Sequence, residues 1–283
     1  MFSLTLENKN GDQLKFGMYS PFTITEISGL NPPEATINTS EVAMLDGAKY
    51  NSAKVNMRTI NVAFAIESAS LNRINVYKVL KSKQWIRLYY VGDYRDVYID
   101  GYIQSIDIAY FEMKQIVTVC ILCPSPFFNQ AQEMVNELSN VISAFHFPFA
   151  STASPELMFG YIDELSDITI ENNGDIECGL IIDLYARSAV SNPKVYNYVT
   201  QDFIGVNYSM QAGDLITIDT RQGHKSVILT RNAVETNIFN SLMRNSTWLQ
   251  LEAGGSTFVY EVGTGNASDL FINFRYHNLF EGV

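Results

Sequence analysis

The chain opens on an alternation of apolar and polar positions. Phe2, Leu4 and Leu6 interleave with polar neighbours, Asn8-Lys9-Asn10-Gly11-Asp12 supplies turn chemistry, and Leu14 and Phe16 resume the period of two. This is the pattern of a hairpin with one buried face. Pro21-Phe22-Thr23-Ile24-Thr25-Glu26-Ile27 predicts a further strand, stopped by Ser28-Gly29-Leu30-Asn31-Pro32-Pro33, where the two prolines exclude a central strand. Around Asp46-Gly47 two extended stretches meet. The second runs from Lys54 to Ile66, with Val55, Met57 and Thr59 alternating with Asn56 and Arg58, and predicts a long exposed hairpin arm. Ser70 to Lys83 contains no Gly or Pro, which predicts a helix with Ser70 as N-cap and Ile74, Tyr77 and Leu80 at helical spacing. Strands return at Trp85–Val91, Val97–Ile99, Tyr102-Ile103 and Ile116–Cys123.

Pro124-Ser125-Pro126-Phe127-Phe128 breaks both period and propensity, so a first domain is expected to end at residue 128. Residues 129–165 hold no lasting period. Pro148, Pro155, the run Ser151-Thr152-Ala153-Ser154 and the cluster Phe145-His146-Phe147-Pro148-Phe149 read as a connecting segment with a docked aromatic piece. From Ile168 onward, strand signals recur about every 8 to 12 residues, as in an antiparallel sandwich or barrel. The clearest are Ile168–Ile170, Leu180–Ile182, Leu215–Ile218, Val227–Leu229, Phe258–Tyr260 and Phe271–Phe274, with turns at Asn172–Asp175, Gly213 and Gly254-Gly255. Asn237 to Arg244 reads as a short helical turn. The expected fold class is mainly β. An N-terminal β domain (1–128) carries one helix and an arm, a segment (129–165) connects, and a second β domain spans 166–283.

Composition agrees with this reading and narrows the function. The 283 residues carry a net charge of −11, are 47% hydrophobic and 17% charged, and include 17 Phe and 16 Tyr. The apolar content excludes global disorder. The acidity argues against a chain whose work is coating nucleic acid or an anionic membrane. Acid and base are unevenly spread. Residues 151–283 hold most of the excess acid, whereas Ser68 to Gly92 holds Arg73, Lys78, Lys81, Lys83 and Arg87 with no acid. That stretch reads either as a solvated helix face or as a docking surface for an acidic neighbour. No basic start followed by a long apolar run opens the chain, and no run reaches the roughly 20 residues of a spanning helix. Synthesis and first residence in a cytoplasm are therefore expected.

Candidate chemistry is sparse. Cys120 and Cys123 are three apart in a predicted strand and so face opposite sides, and Cys178 stands alone. All three read as structural thiols rather than metal ligands. His146, His224 and His277 have no metal spacing, and no nucleophile elbow, phosphate loop or dinucleotide fingerprint is present. The acidic run Asp163, Glu164, Asp167, Glu171, Asp175, Glu177 flanks a turn and does not match a calcium loop. No catalytic residue, metal or cofactor is expected. Trp248 is the one candidate for stacking on sugar, against a half-buried strand position beside Leu249 and Leu251.

The order of these features resembles the distal tail proteins of long-tailed bacteriophages, which also occur in prophages and phage-like particles. The resemblance lies in the opening hairpin through Asn10-Gly11, in Gly29-Leu30-Asn31-Pro32-Pro33-Glu34, Asp46-Gly47 and Arg58-Thr59-Ile60, and in Cys123–Phe128. It continues in Ile170–Asp175, Asn192-Pro193-Lys194, Gly213–Thr220 and Trp248–Leu251 before Gly254-Gly255. It implies an N-terminal β-sandwich or split barrel that closes into a hexameric ring, and a protruding galectin-like C-terminal sandwich. It further implies a structural role at the virion tail tip, joining the tail tube protein to a tail-tip or tail-associated lysin protein and to a receptor-binding protein. DNA passes through such a ring without being read. Lys54, Arg58, Arg73, Lys78, Lys81 and Arg87 are the candidate interface residues between copies. Two other classes stand beside this one: a carbohydrate-binding tail component using Trp248, and a cell-wall hydrolase. Galectin motifs are incomplete here, since Lys194 stands where they carry arginine and Leu249 follows Trp248.

Overall fold

Alternating burial along short strands builds the first half of the chain. The computed structural model describes residues 2–17, 20–41, 43–44, 46–67, 69–109, 115–137, 140–143, 160–163 and 167–283. The chain divides into two units, Met1–Gln132 with Leu279–Val283, and Glu133–Asn278.

The first unit runs β1 (Ser3–Asn8), β2 (Gln13–Phe16), β3 (Phe22–Ser28), β4 (Ala35–Glu41), β5 (Ala48–Val55), β6 (Arg58–Ile66), α1 (Ala69–Val79), β7 (Trp85–Val91), β8 (Asp96–Ile108), β9 (Gln115–Cys123) and β10 (Phe128–Gln130). All but β4, β5 and α1 belong to one sheet ordered β2-β1-β7-β8-β9-β6-β3, with β10 on β8 and the returning strand Leu279–Phe280 on β10. The first and last strands of that order meet through three rings. Phe16 of β2 lies 6.2 Å from Phe22 of β3, and Phe64 of β6 packs against both at 4.9 and 5.9 Å. The sheet therefore curls on itself as a split barrel around Leu4, Leu6, Leu14, Ile60, Val62, Ile86, Leu88, Val117 and Val119.

Asn8 fastens two elements at once. Its carboxamide oxygen accepts from the amides of Asn10 and Asp12 at 2.9 and 3.0 Å, closing the β1–β2 turn. Its amide group donates towards the Lys78 and Val79 carbonyls at the end of α1, satisfying acceptors that a helix end leaves open.

Two expectations are corrected here. The stretch Lys54 to Ile66 is two strands, because the chain breaks at Asn56-Met57 and the alternation changes phase. Arg58, Ile60, Val62 and Phe64 point inward, while Met57 is exposed. The arm is instead β4–β5. The helix begins at Ala69, so Ser70 lies inside it and is not its N-cap. The helix buries Val76 and Val79, with Leu80 just past its end, and leaves Ile74 and Tyr77 exposed. Two apolar stripes competed in that sequence, and the one bearing Val76, Val79 and Leu80 joins the barrel core. The two compact units divide at Gln132, and the last five residues belong with the first unit. The cluster Phe145–Phe149, with His146, lies outside the described residues.

The second unit is an antiparallel sandwich. Its larger sheet runs Met134–Glu137, Leu270–Tyr276, Ile181–Ala186, Leu215–Asp219, Ser226–Arg231, Val234–Asn237 in spatial order. The smaller runs Asp167–Ile170, Ser256–Glu261, Lys194–Asn197, Phe203–Gly205. Every predicted strand from Ile168 onward lies in or directly beside a strand. Phe258 and Phe274 stack across the two sheets at 5.0 Å between centroids. Buried Asp214 accepts from the Gln211 amide at 2.7 Å and from Arg231 Nε at 2.7 Å, which holds the turn before Leu215–Asp219.

The guanidinium of Arg231 holds the Asp214 carboxyl below the ordinary carboxylate range, against the opposing effect of burial. A depressed folded-state pKa contributes stability that is present above the unfolded pKa and is lost as pH falls through the folded one. We expect Asp214→Asn to destabilise the second unit at pH 7 by about 3 kcal/mol. The variant should also lose less stability than the wild type on acidification from pH 5 to pH 2. Chemical denaturation across that range measures both.

Candidate assembly surfaces

The arm is set by its register. Ala35 faces Val55 and Ile37 faces Ala53, and past a bulge Thr39 faces Tyr50 and Glu41 faces Ala48. Alternation puts these residues on one face, which is largely apolar, and Thr36, Asn38, Ser40, Lys49, Ser52 and Lys54 on the other. The polar face is tied by its own side chains: Asn38 Nδ2 donates to Ser52 Oγ at 3.0 Å and Thr36 Oγ1 to Asn56 Oδ1 at 3.0 Å. The apolar face has no such cover. All of β4 and all of β5 except Val55 are exposed, with Ile37 and Tyr50 each 62% accessible. A two-stranded hairpin alone is marginal in water. Among the described residues, nothing pairs with either edge of this one or packs on its apolar face.

The candidate interface residues separate once folded. Lys54 lies on the polar face of the arm. Lys78 pairs with Asp12 at 2.7 Å, which lowers the Asp12 pKa. Lys81 is exposed just past the helix, and Arg73 is half-buried on it. Arg87 is held within its own sheet, with Nε and Nη2 donating to the two Asp100 oxygens at 2.7 and 2.9 Å and the guanidinium 4.1 Å from the Tyr98 ring centre. That pairing raises the Arg87 pKa above its ordinary value.

Arg58 departs from expectation altogether. It is 3% exposed, stacks 4.6 Å over the Phe128 ring, and spends its donors on main-chain carbonyls. Nε donates to Pro126 at 2.6 Å, Nη1 to Gly29 and Asn31 at 2.6 and 2.7 Å, and Nη2 to Glu281 at 2.5 Å. Burial lowers its pKa, and the nearby Cys123 and Glu281 oppose that shift. A surface role for Arg58 is therefore withdrawn: its position at the inward phase of β6 drives it into the protein.

In the second unit, Trp248 is half-buried. Its ring carries Phe239 at 5.8 Å and the Lys225 ammonium at 5.3 Å. A polar cluster that the sequence did not single out joins Lys194 Nζ to Glu261 Oε1 at 2.5 Å and the Tyr196 hydroxyl to the same oxygen at 2.6 Å. Only cross-strand register brings these residues together, so no spacing in the sequence signalled them.

Among the described residues no group of three His, Cys, Asp or Glu side chains is placed to hold a metal ion. No helix among them is long and apolar enough to cross a membrane. Of the acidic run, Glu164 and the side chain of Asp163 lie outside the described residues. The remaining four show no shared ligand geometry. Burial pushes the Cys123 and Cys178 thiols up to about 12, whereas Cys120 is half-exposed beside Gln104. Thiolates rather than thiols react. We therefore expect one thiol per native chain to be modified by a disulfide reagent at pH 8, and three after unfolding. Mass mapping should place the native label on Cys120.

Two family models match the chain. One, the phage tail protein RIFT-related domain, matches residues 9–122, and the other, the C-terminal domain of the siphovirus-type tail component, matches residues 173–277. No curated protein matches the sequence. Among solved structures, the crystal structure of SPP1 Dit protein, described as a paradigm of the hub adsorption apparatus in phages infecting Gram-positive bacteria, is similar at 13% identity. That alignment covers 96% of this chain and 98% of that one, with a TM-score of 0.67. A chain of the phage P2 baseplate in its calcium-activated conformation aligns over 100% of both chains at 12% identity, with a TM-score of 0.57. The strontium form of the p2 baseplate gives 0.53 at 13% identity over 97% and 98%. Those likenesses concern the fold; the two family models, taken in order along the sequence, concern descent. The chain belongs to the siphovirus-type phage tail component family, the distal tail proteins.

Proposed function

We propose that this chain is a non-enzymatic adaptor at the virion tail tip, forming a closed ring that joins the tail tube to the tail-tip or tail-lysin protein. Family membership supports a structural component of the phage tail. The single observation that carries the ring is the arm. Its apolar face and strand edges are open in one copy, and a second copy is the surface always present to cover them. A contact of arm on neighbour is head-to-tail, and such a contact closes as a ring when the rotation allows. Six is the number the family resemblance supplies. Lys54, Lys81 and Arg73 remain candidate contributors at that joint, Lys78 and Arg87 through charges already paired within the copy.

Light scattering tests this directly, since six copies of the 31.8 kDa chain make a particle of about 190 kDa. We expect that mass for the wild type, alone or with the tube protein present, and weaker assembly in high salt. The double variant Ile37→Asp, Tyr50→Asp should stay single without loss of thermal stability, because neither side chain packs inside its own copy. A strict monomer in both runs, at low and high salt, would contradict the ring. A ring formed equally well by the double variant would remove the arm from it.

A further inference from the structure

The root of the arm is held by residues from the far end of the sequence. Between β3 and β4 the loop Gly29–Pro33 exposes three consecutive carbonyls, and each has a fixed donor. Arg58 Nη1 serves Gly29 at 2.6 Å and Asn31 at 2.7 Å, and the Val283 amide donates to Leu30 at 3.2 Å. The segment supplying that amide is itself gripped twice more through its backbone. Arg58 Nη2 binds the Glu281 carbonyl at 2.5 Å, and Arg95 Nη1 binds the Gly282 carbonyl at 2.6 Å. Phe280 pairs with Phe128 in the sheet, and the Arg95 guanidinium lies 4.3 Å from the Phe280 ring centre. Gly282 passes close to the loop: a Cβ there would stand 3.1 Å from Pro32 Cδ and 3.2 Å from the Leu30 carbonyl oxygen. On its other side the root is closed by the Asn56 amide, which donates to Glu34 at 2.9 Å.

We propose that Leu279–Val283 is a latch that fixes the root of the arm, so that displacing this segment frees the arm while the barrel stays folded. The physical argument is one of shared donors. The loop owes its conformation to three carbonyl contacts. One comes directly from the latch, and the other two come from a guanidinium whose remaining Nη is occupied by the latch. The latch touches the barrel core at one edge, where Phe280 joins the core cluster and Val283 packs against it, but the ladders β1–β7, β7–β8, β8–β9 and β6–β9 are complete without the segment. Because Asn278 ends the second unit and Leu279 begins the latch, the latch is also the covalent exit from that unit. A partner that draws on the second unit thus has a route to the arm. The latch itself is a property of one chain and stands whether or not the arm makes a ring. The consequence for assembly rests on the proposed function.

Backbone hydrogen exchange on the full chain tests it, at a dilution where light scattering shows single copies. Two variants loosen the latch without substituting Arg58 or any loop residue: Gly282→Val, which drives a side chain against Pro32 and so parts the segment from the loop, and Arg95→Met, which removes the donor to Gly282 and leaves the loop untouched. The expected result is that the amides of Asn56 and of the arm exchange at least tenfold faster in both, while those of β7, β8 and the second unit keep their wild-type rates. Wild-type exchange at Asn56 and the arm, with the Val283 amide now fast, would overturn the proposal. Faster exchange throughout the barrel in both variants would overturn it too, because the segment would then support the whole unit rather than the arm.

Discussion

A charge buried among neutral atoms holds the first unit together where hydrophobic packing does not reach. Arg58 enters the protein at the first position of β6 and gives its donors to four carbonyls from three separate stretches. Removing a guanidinium from water is costly. The cost is offset here by charge-assisted hydrogen bonds, each worth about 1.5–3 kcal/mol, and by the face of Phe128. The planar fork of arginine is needed for this: a lysine offers one point charge and cannot span acceptors arranged around a plane. The stretches it joins are the ones without period, namely the Gly29–Pro33 loop, the proline-rich exit from β9 and the returning segment. Gly29 is part of the same arrangement. Its φ of +89° turns the loop, and a Cβ there would meet the Thr59 carbonyl oxygen at 2.2 Å.

With its loops fastened from within, the barrel leaves the arm as a separate element. Most strands of the barrel bury one face, whereas β4 and β5 bury neither and divide their side chains into a largely apolar and a polar face. Such a hairpin adds little burial to the copy that carries it. The second unit shows the complementary character. Several of its charges are paired within the unit, Asp214 with Arg231 and Asp183 with Arg275 at half-buried positions and Glu261 with Lys194 at the surface.

Much of this was legible in the residues, for identifiable reasons. A strand with one buried face writes a period of two, so Leu4, Leu6, Leu14 and Phe16 were readable at once, as were the sandwich strands at Leu215–Asp219 and Leu270–Tyr276. The order of turns and strands also pointed to the family. What escaped is non-local. Arg58 reads as an outward residue because a charge in an alternating strand ordinarily is one, and four main-chain acceptors leave no trace in sequence. Met57, apolar yet exposed, concealed the change of phase at the break between β5 and β6. The pairing of Phe280 with Phe128 joins two very short strands across the entire second unit, beyond the reach of any local pattern. The cluster of Lys194, Tyr196 and Glu261 exists only through register.

The most direct measurement is the stability of the first unit without the Arg58 guanidinium. Trp85 lies in the first unit and Trp248 in the second, so a Trp248→Phe background lets Trp85 fluorescence report the barrel alone. In that background Arg58→Met should lower the unfolding free energy of the barrel by about 3–5 kcal/mol, the cost of abandoning a buried network of this kind. Arg58→Lys should restore little of it. A variant that unfolds within about 0.5 kcal/mol of the parent, and loses only its association with other copies, would contradict the account and return Arg58 to the surface.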